Sequence, residues 1–223
     1  MRNAIVSEDA FRAHLQASYS VTVAGDASRM MRAKRDIDMQ LRIATHDDID
    51  SVVELVNQAY RGTASPGWTT EAGLIEGARV DRHALAQIIE AGATTILLAR
   101  DHASDQLQGC VAVRPMEDGE WYLSMLAVSP ASQAAGVGRS IMAAAEAFMH
   151  ERGARSVKIS VIDARETLIA WYERRGYKRT GKTEPFPYDD PSVGVPLRKD
   201  LTLVILQKSL RDHGGEESGK SAT

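Results

Sequence analysis

Strand-like and helix-like hydrophobic patterns alternate along the chain from residue 38 to residue 210, and this alternation constrains the fold more than any other feature. Short apolar runs predict strands over residues 41–44, 95–99, 107–114, 121–128, 157–161, 177–181 and 201–207. Apolar residues at helical spacing predict helices over residues 45–60, 81–92, 136–152 and 163–176. Hairpin-like strand neighbours combined with crossover helices predict an α/β (mixed α+β) domain, in which one mixed sheet carries helices on both faces.

Polar residues and glycines at the ends of these patterns support the predicted helix boundaries, because they satisfy backbone groups that a helix end leaves without partners. The predicted capping residues are Thr45 with Asp48, Asp81 with Gly92, and Asp163 with Glu166.

The length of 223 residues suits one domain, and a chain of this size buries roughly 70% of its unfolded surface without disulfides. Residues 1–37 have weak periodicity and a basic cluster, which predicts a mobile N-terminal extension rather than a docking segment. Residues 211–223 are rich in Gly, Glu and Ser, which predicts a disordered tail. The folded domain is therefore predicted to span residues 38–210.

Charge and cysteine content exclude several classes of function. The chain has 27 Lys and Arg against 30 Asp and Glu, a net charge of -3, which argues against a nucleic-acid partner. A single cysteine, Cys110, precludes an internal disulfide and a cysteine-based zinc site, and the six histidines lack metal-ligand spacing, so we expect no metal. Without a long apolar run or an N-terminal apolar signal core, we expect no membrane partner and a cytoplasmic location. A transit peptide is the less favoured alternative, because Arg2 and Arg12 lie among Ser and Ala.

Two glycine-rich stretches are candidates for phosphate binding. The first runs from Gln133 through Gly136 and Gly138 to Arg139, between a predicted strand and a long helix, where backbone N–H groups of the first helical turn can hold an anion. A plain tight turn between strand and helix is the alternative. The second, from Gly176 to Thr183, fits the P-loop pattern letter by letter. It follows a helix and precedes prolines, whereas a P-loop joins a strand to a helix, so NTP binding is the least favoured interpretation.

Three elements in order resemble a known enzyme family. They are Leu126-Ala-Val-Ser-Pro130, Gln133-x-x-Gly136-x-Gly138, and Ala170-Trp-Tyr-Glu-Arg-Arg-Gly-Tyr177. This set resembles the GNAT superfamily of acyl-CoA-dependent N-acetyltransferases over residues 39–208. The resemblance implies a largely antiparallel sheet that splays apart between the strands at 121–128 and 157–162, with acyl-CoA in the gap.

The resemblance also implies which residues bind acetyl-CoA, the expected co-substrate. Backbone groups of the strand end pair with the pantetheine arm and polarise the thioester carbonyl, and N–H groups of the glycine turn hold the pyrophosphate. Arg165 stands where the family often has an asparagine, and because arginine cannot accept a hydrogen bond we expect it to contact phosphate or substrate instead. The predicted cofactor-binding residues are Leu126, Ala127, Val128, Gln133, Ala134, Ala135, Gly136, Val137, Gly138, Arg139, Ser140 and Arg165.

Two catalytic residues are predicted. Tyr172 lies four residues before Gly176, where the family often has a tyrosine beside the departing sulfur; packing in the core is its alternative role. Acyl transfer also needs a neutral amine, and an alkyl amine has a pKa near ~10.4, so a base or a water chain must remove a proton. Glu71 is the favoured base, because its loop borders the acceptor site in the family. The alternative for Glu71, which we favour over catalysis, is a structural role as a carboxylate in the first turn of a helix, facing the helix dipole. Other candidates are Glu120, Tyr122 and His83.

These observations predict an N-acetyltransferase that moves an acetyl group from acetyl-CoA to a primary amine of a small molecule or peptide in one ternary complex. A non-catalytic acyl-CoA-binding or regulatory protein of the same fold is the alternative. The resemblance makes a homodimer an expected assembly, although the sequence shows no interface. The acidic segment around Tyr188, Asp189 and Asp190 is predicted equally to be a solvated loop or a rim that attracts a cationic amine.

Overall fold

The structure is a computed structural model that describes residues 39–62 and 70–210, with the backbone alone for 39–40 and 133–135. The predicted N-terminal extension, residues 1–37, and the predicted tail, residues 211–223, lie outside the described residues. Their character therefore stays a prediction.

Four α-helices and nine strands build the described part of the chain. The helices are α1 (Ile49–Arg61), α2 (Arg82–Ala91), α3 (Val137–His150) and α4 (Glu166–Glu173). The strands are β1 (Met39–Ile43), β2 (Ile75–Glu76), β3 (Thr95–Asp101), β4 (Leu107–Pro115), β5 (Glu120–Val128), β6 (Ser156–Ile162), β7 (Lys178–Pro185), β8 (Val195–Pro196) and β9 (Thr202–Ser209). Short 3-10 helices lie at His46–Asp48, Glu117–Gly119, Pro130–Ala135 and Pro191–Val193.

Seven strands form one sheet in the order β1-β3-β4-β5-β6-β9-β7, and β2 pairs with β8 in a separate two-stranded sheet. Every pairing in the large sheet is antiparallel except that of β5 with β6, which α3 connects as a crossover helix. This arrangement confirms the predicted mixed, largely antiparallel sheet.

Alternation of side chains along β4 shows why helices cover both faces of the sheet. Cys110 and Ala112 join one apolar cluster with α1 and α2 residues such as Val52 and Leu85. Gly109, the residue before Cys110, faces α3, where an added Cβ would collide with the side chain of Ile141. Successive residues of a strand point to opposite faces, so α1 and α2 pack on one face and α3 on the other.

The helix caps agree with prediction at two helices and disagree at the third. Thr45 and Asp48 form the predicted capping box, and Asp81 accepts a hydrogen bond from the N–H of Ala84 at 2.8 Å. The prediction for α4 is wrong, because its N-cap position is Arg165 and no side chain caps it. Asp163 instead accepts from Ala164 N and Thr202 Oγ1, at 2.8 and 3.0 Å, and ties the start of α4 to β9.

The sheet opens between β5 and β6. Their parallel register covers only three residue pairs, from Glu120 opposite Ser156 to Tyr122 opposite Lys158. Beyond Tyr122 the two strands continue without pairing to each other, β5 as far as Val128 and β6 as far as Ile162. The end of β5 therefore borders a gap in the sheet, as the resemblance implied.

Candidate functional site

A β-bulge interrupts the pairing of β5 with β4 beside this gap. Cys110 lies opposite Ala127 and Ala112 opposite Ser124, so β5 carries one residue more than β4 between these pairs. Met125 has φ +51° there, a left-handed conformation that is costly for a residue with a side chain. A bulge leaves its extra residue outside the ladder and re-aims the backbone groups. The bulge thus turns main-chain polar groups of β5 away from β4, beside the gap in the sheet.

Side chains on α1 and β4 hold the bulge in place. The hydroxyl of Tyr60 donates to the carbonyl of Leu126 at 3.0 Å, and the Cys110 thiol lies 3.9 Å from the carbonyl of Met125. Burial raises the pKa of Tyr60 to about 12 and that of Cys110 to about 12, so both remain protonated donors at neutral pH. Sequence periodicity identified Tyr60 and Cys110 only as core residues. Their contacts with β5 depend on a register that periodicity does not reveal.

The glycine turn follows β5 directly and opens α3. Gly136 has φ +84°, a conformation that favours glycine, and its carbonyl accepts from Arg139 N at 3.0 Å and Ser140 N at 3.2 Å. The N–H groups of Val137 and Gly138 precede these bonds and have no partner within the helix, as at any helix N-terminus. Together with the positive end of the helix dipole they form a site suited to a phosphate group.

The predicted cofactor-binding residues, Arg165 apart, lie in one continuous strand–turn–helix segment. Leu126, Ala127 and Val128 end β5 at the gap, and the backbone of Gln133, Ala134 and Ala135 lies in the 3-10 helix Pro130–Ala135. Residues Gly136, Val137, Gly138, Arg139 and Ser140 form the turn and the start of α3. The segment thus presents a polar strand edge and a helix N-terminus in succession.

Tyr172 is buried on α4, with 6% of its surface exposed. Its ring packs edge-on against Trp171 and Tyr177, with centroids 5.1 and 5.7 Å apart. Burial raises the pKa of Tyr172. The charge of Tyr60 raises this pKa further, and the charge of Arg165 lowers it. Within residues 39–62 and 70–210, the Tyr172 hydroxyl makes no hydrogen bond, so its donor has no partner there.

Glu71 lies in a buried ion-pair cluster with two arginines. Its Oε2 pairs with Arg61 Nη1 and its Oε1 lies 3.3 Å from Arg165 Nη1, and all three side chains are at most one-tenth exposed. The alternative role in a first helical turn is wrong, because residues 72–74 form a turn that leads into β2. The loop that precedes it, residues 63–69, lies outside the described residues.

Arg61 is the centre of this cluster and was not predicted. Its Nε donates to the carbonyl of Gly77 at 3.0 Å and its Nη2 to that of Val193 at 3.2 Å. Arg61 therefore links the end of α1 to the segments around β2 and β8, while Glu71 joins it to Arg165 at the start of α4. Its position as the last residue of α1 gave no signal for these partners, which lie up to 132 residues away in sequence.

The other candidate bases occupy different surroundings. His83 is exposed on α2, and Glu120 accepts from Gln207 Nε2 at 2.7 Å at the start of β5. Tyr122 is half-buried on β5, with the guanidinium of Arg114 5.1 Å from the centre of its ring. Among the described residues, no group of three or more His, Cys, Asp or Glu side chains could hold a metal ion. None of the described helices is long and apolar enough to cross a membrane.

Comparisons with known proteins identify the family. The model of the acetyltransferase (GNAT) domain matches residues 72–196, more than half of the chain. The fold is similar to YncA from Salmonella typhimurium, solved with its cofactor acetyl-CoA, at 20% identity over 81% of this chain and 99% of that one, with a TM-score of 0.56. It is also similar to ribosomal-protein-alanine N-acetyltransferase from Brucella melitensis, at 22% identity, 76% and 99% coverage and a TM-score of 0.56.

A third similar structure is PaiA N-acetyltransferase from Thermoplasma acidophilum in complex with coenzyme A, at 15% identity, 77% and 98% coverage and a TM-score of 0.57. No curated protein sequence matches the chain. At these identities the solved structures establish the fold, and the domain match establishes the kinship. The chain belongs to the GNAT acetyltransferase family.

Proposed function

We propose that this protein transfers an acetyl group from acetyl-CoA to a primary amine of a small molecule or peptide, directly within a ternary complex. The observation that carries the proposal is the succession of a β5 bulge at the sheet gap and a glycine turn at the start of α3. YncA was solved with acetyl-CoA and PaiA with coenzyme A, which supports this donor. A cytoplasmic location is part of the proposal that rests on the sequence, and a homodimer is part of it that rests on the resemblance to the family.

The chain's own groups fit this donor. The N–H groups at the start of α3 would hold the pyrophosphate. The positive φ of Gly136 sets the direction of these N–H groups, and its lack of a side chain lets the pyrophosphate approach the backbone. The end of β5, from Leu126 to Val128, would pair with the pantetheine arm along the gap. Donors re-aimed by the bulge would polarise the thioester carbonyl, a use for which preorganised backbone dipoles are suited.

The reaction forms a bond between the amine nitrogen and the acetyl carbon and breaks the bond from that carbon to sulfur. The amine loses a proton to solvent or a base, and the sulfur leaves as a thiolate that then takes up a proton. The Tyr172 hydroxyl would donate a hydrogen bond to the sulfur as negative charge develops, since it lacks a partner within the described part of the chain. Such a donor acts mainly in the transition state.

For Glu71 the geometry favours a positioning role over that of a base. Both of its carboxylate oxygens are held by arginines, so an incoming amine would compete with Arg61 and Arg165 for them. We therefore propose that Glu71 fixes Arg165 at the start of α4, two turns before Tyr172. We also propose that Arg165 contacts the cofactor or the substrate. Its ion pair with Glu71 would then set the direction in which its guanidinium points.

A thiol-release assay tests the proposal. Purified protein with acetyl-CoA should release free thiol in the presence of at least one member of a panel of polyamines, amino acids, aminoglycosides and peptide N-termini. Gly138→Val should weaken acetyl-CoA binding in calorimetry, because it adds a side chain where the first helical turn meets the phosphate. Ala147→Val, an exposed position of the same helix, is the matched control and should bind normally. Tight acetyl-CoA binding without thiol release from any amine would favour the non-catalytic alternative.

A further inference from the structure

The two-stranded sheet of β2 and β8 connects the two halves of the large sheet across the gap. β2 lies between α1 and α2, the helices that pack on β3, β4 and β5. β8 lies between β7 and β9, two strands on the other side of the gap. The antiparallel pairing of β2 with β8 therefore links a connection on one side of the gap to a connection on the other. Residues 71–77 and 193–197 together form what we call the bridge.

On the β5 side of the gap, the end of α1 holds the bridge. Arg61 donates from Nε to the carbonyl of Gly77 at 3.0 Å and from Nη2 to the carbonyl of Val193 at 3.2 Å. The N–H of Glu71 donates to the carbonyl of Tyr60 at 2.8 Å. Since the hydroxyl of Tyr60 holds the bulge of β5, the bridge is tied to the strand that borders the gap.

On the β6 side, the bridge packs on the face of the sheet that carries α1 and α2. Trp121 faces α3, because its ring packs edge-on against a phenylalanine of that helix with the centroids 6.4 Å apart. Tyr122 and its register partner Lys158 therefore face the other way, and so does Ile162, further along β6. Ile75 of β2 is buried in one apolar cluster with Ile162. The bridge thus spans the gap and is anchored on both of its sides.

Toward the start of β5, the same face of the sheet carries a polar groove. Register aligns Arg114, Tyr122, Lys158 and Gln207 in one row across β4, β5, β6 and β9. A cavity of about 750 Å³ lies at this row, with Arg114, Glu120 and Gln207 in its lining. The apolar cluster of α1 and α2 contains no described residue of β6, β7 or β9. These helices therefore leave this part of the face to a ligand.

The groove and the bridge leave a short opening between them. Along β6, the groove row at Lys158 and the bridge contact at Ile162 are separated by about 13 Å of strand. Ser124 and Ser160 lie on this face between the two and are only half-buried, so the face is accessible there. Side chains on both rims narrow the opening. An amine that enters here must therefore be narrower than about 13 Å.

We propose that the bridge restricts the acceptor to narrow, extended primary amines. The inference rests on the proposed function, because it concerns the amine of that reaction. A linear polyamine or an extended peptide chain fits the opening and can lie along the groove, whereas the linked sugar rings of an aminoglycoside would collide with the bridge. Such a clash rejects one class of amine without any new contact to the other. Displacing the bridge would break the hydrogen bonds of Arg61 and expose Ile75, so the bridge does not yield to a wide ligand.

Wild-type protein should prefer linear amines in the thiol-release assay. The kcat/KM of the best linear amine of the panel should exceed that of the best aminoglycoside by at least about 10-fold, the scale on which a pocket separates substrates by size. Polyamines and aminoglycosides both carry several ammonium groups, so charge does not account for such a preference.

Gly194→Ala should open the bridge and reduce this preference. Gly194 has φ +92°, and a Cβ there would lie 2.5 Å from the carbonyl oxygen of Glu76 and 2.9 Å from the side chain of Ile75, so β2 and β8 must separate. The ratio of the two kcat/KM values should fall toward one through a lower KM for the aminoglycoside, while acetyl-CoA affinity in calorimetry stays unchanged. Gly153→Ala is the matched control, because Gly153 has φ +85° and nothing within 4 Å of an added Cβ. Its ratio should equal that of the wild type.

Gly77→Ala is a milder second variant, and thermal melts check that each protein is folded. Gly77 also has a positive φ, but the nearest atom to an added Cβ is 3.9 Å away, so a smaller shift of the ratio in the same direction is expected. A wild type that acetylates aminoglycosides as efficiently as linear amines would overturn the inference and leave the proposed function intact. Folded Gly194→Ala protein with the wild-type ratio, or an equal change in Gly153→Ala, would overturn it as well. A wild type that releases thiol with no amine of the panel would overturn the proposed function and the inference together.

Discussion

Tyr60 and Tyr172 are both buried phenols, and their hydroxyl groups differ in what they contact. The Tyr60 hydroxyl donates to the carbonyl of Leu126 at 3.0 Å, so its donor is already used to hold the bulge. The Tyr172 hydroxyl makes no hydrogen bond within residues 39–62 and 70–210. Of the two, Tyr172 has its donor free for a leaving sulfur.

We expect Tyr172→Phe to lower turnover by about 10²- to 10⁴-fold, the usual effect of a positioned acid, with little change in acetyl-CoA affinity. Burial raises the pKa of Tyr172, which makes full proton transfer to a thiolate of pKa near ~8.5 unfavourable and favours hydrogen bonding. The defect should shrink as pH rises above the thiol pKa, because the thiolate then leaves without a proton. Turnover measured from about pH 6.5 to 9.5 checks this.

Tyr177→Phe is a suitable control for that series. Tyr177 is also a buried tyrosine, but its hydroxyl donates to Glu146 on α3 at 3.1 Å. Its removal should leave the pH profile of turnover unchanged. A Tyr172→Phe protein of full activity would assign Tyr172 to core packing, and a defect independent of pH would make it a positioning residue.

Glu71→Gln should destabilise the fold and leave the pH dependence of catalysis in place. Removing one partner of a buried ion pair leaves the arginines uncompensated, at a cost of about 3 kcal/mol in the free energy of unfolding. Urea unfolding measures this loss, and the acidic limb of kcat/KM against pH should persist. If the acidic limb disappears while stability is unchanged, Glu71 is the base and the positioning role is wrong.

At the scale of elements, Asp48 joins β1, the start of α1 and β3. Its carboxylate accepts from Arg42 at 2.5 and 2.6 Å, from Thr45 N at 2.9 Å and from Arg100 at 3.1 Å. Burial by itself would raise the pKa of Asp48, but these hydrogen bonds outweigh it and lower the pKa from 3.8 to about 2. The ionised carboxylate therefore holds the edge strand β1 to the first helix.

This shift predicts an acid-sensitive contribution to stability. A folded pKa of about 2 against 3.8 stabilises the fold above pH 3.8, by about 2 kcal/mol, and the contribution is lost as pH falls toward 2. Asp48→Asn should lower the free energy of unfolding by at least this amount at neutral pH, and by less below pH 3.8. Urea unfolding of both proteins at the two pH values measures the difference. A deficit that stays constant with pH would show that the charge of Asp48 contributes nothing.

At the scale of the whole molecule, the described residues contain an apolar cluster in which α1 and α2 pack on the sheet, and β1 at the sheet edge is paired with β3 from Met39 opposite Asp101 onward. Deletion of residues 2–37 is therefore expected to leave the melting temperature and the rate of thiol release nearly unchanged. Differential scanning calorimetry and the thiol assay on both proteins check this. A large drop in melting temperature would show that the extension packs on the domain or on a second subunit.

Local rules predicted the parts of the fold whose partners are near in sequence. Thr45 caps a helix that begins at once, and Gly92 ends one in a left-handed conformation, so neighbouring residues suffice to identify both. Spacing within 126–138 likewise located the end of a strand, a turn and the start of a helix. The pairing of β2 with β8 was missed, because each is two residues long and lies about 120 residues from its partner.

What the sequence by itself determined is the longer strands and helices and the turn that opens α3, since periodicity and capping act over a few residues. Only the tertiary structure decided the bulge at Met125, because register depends on which strand is the neighbour. It also decided the partners of Glu71, since Arg61 and Arg165 reach it from α1 and α4. A buried carboxylate is costly unless a cation pairs with it. Which cation lies close enough depends on how the helices pack and not on the distance along the chain.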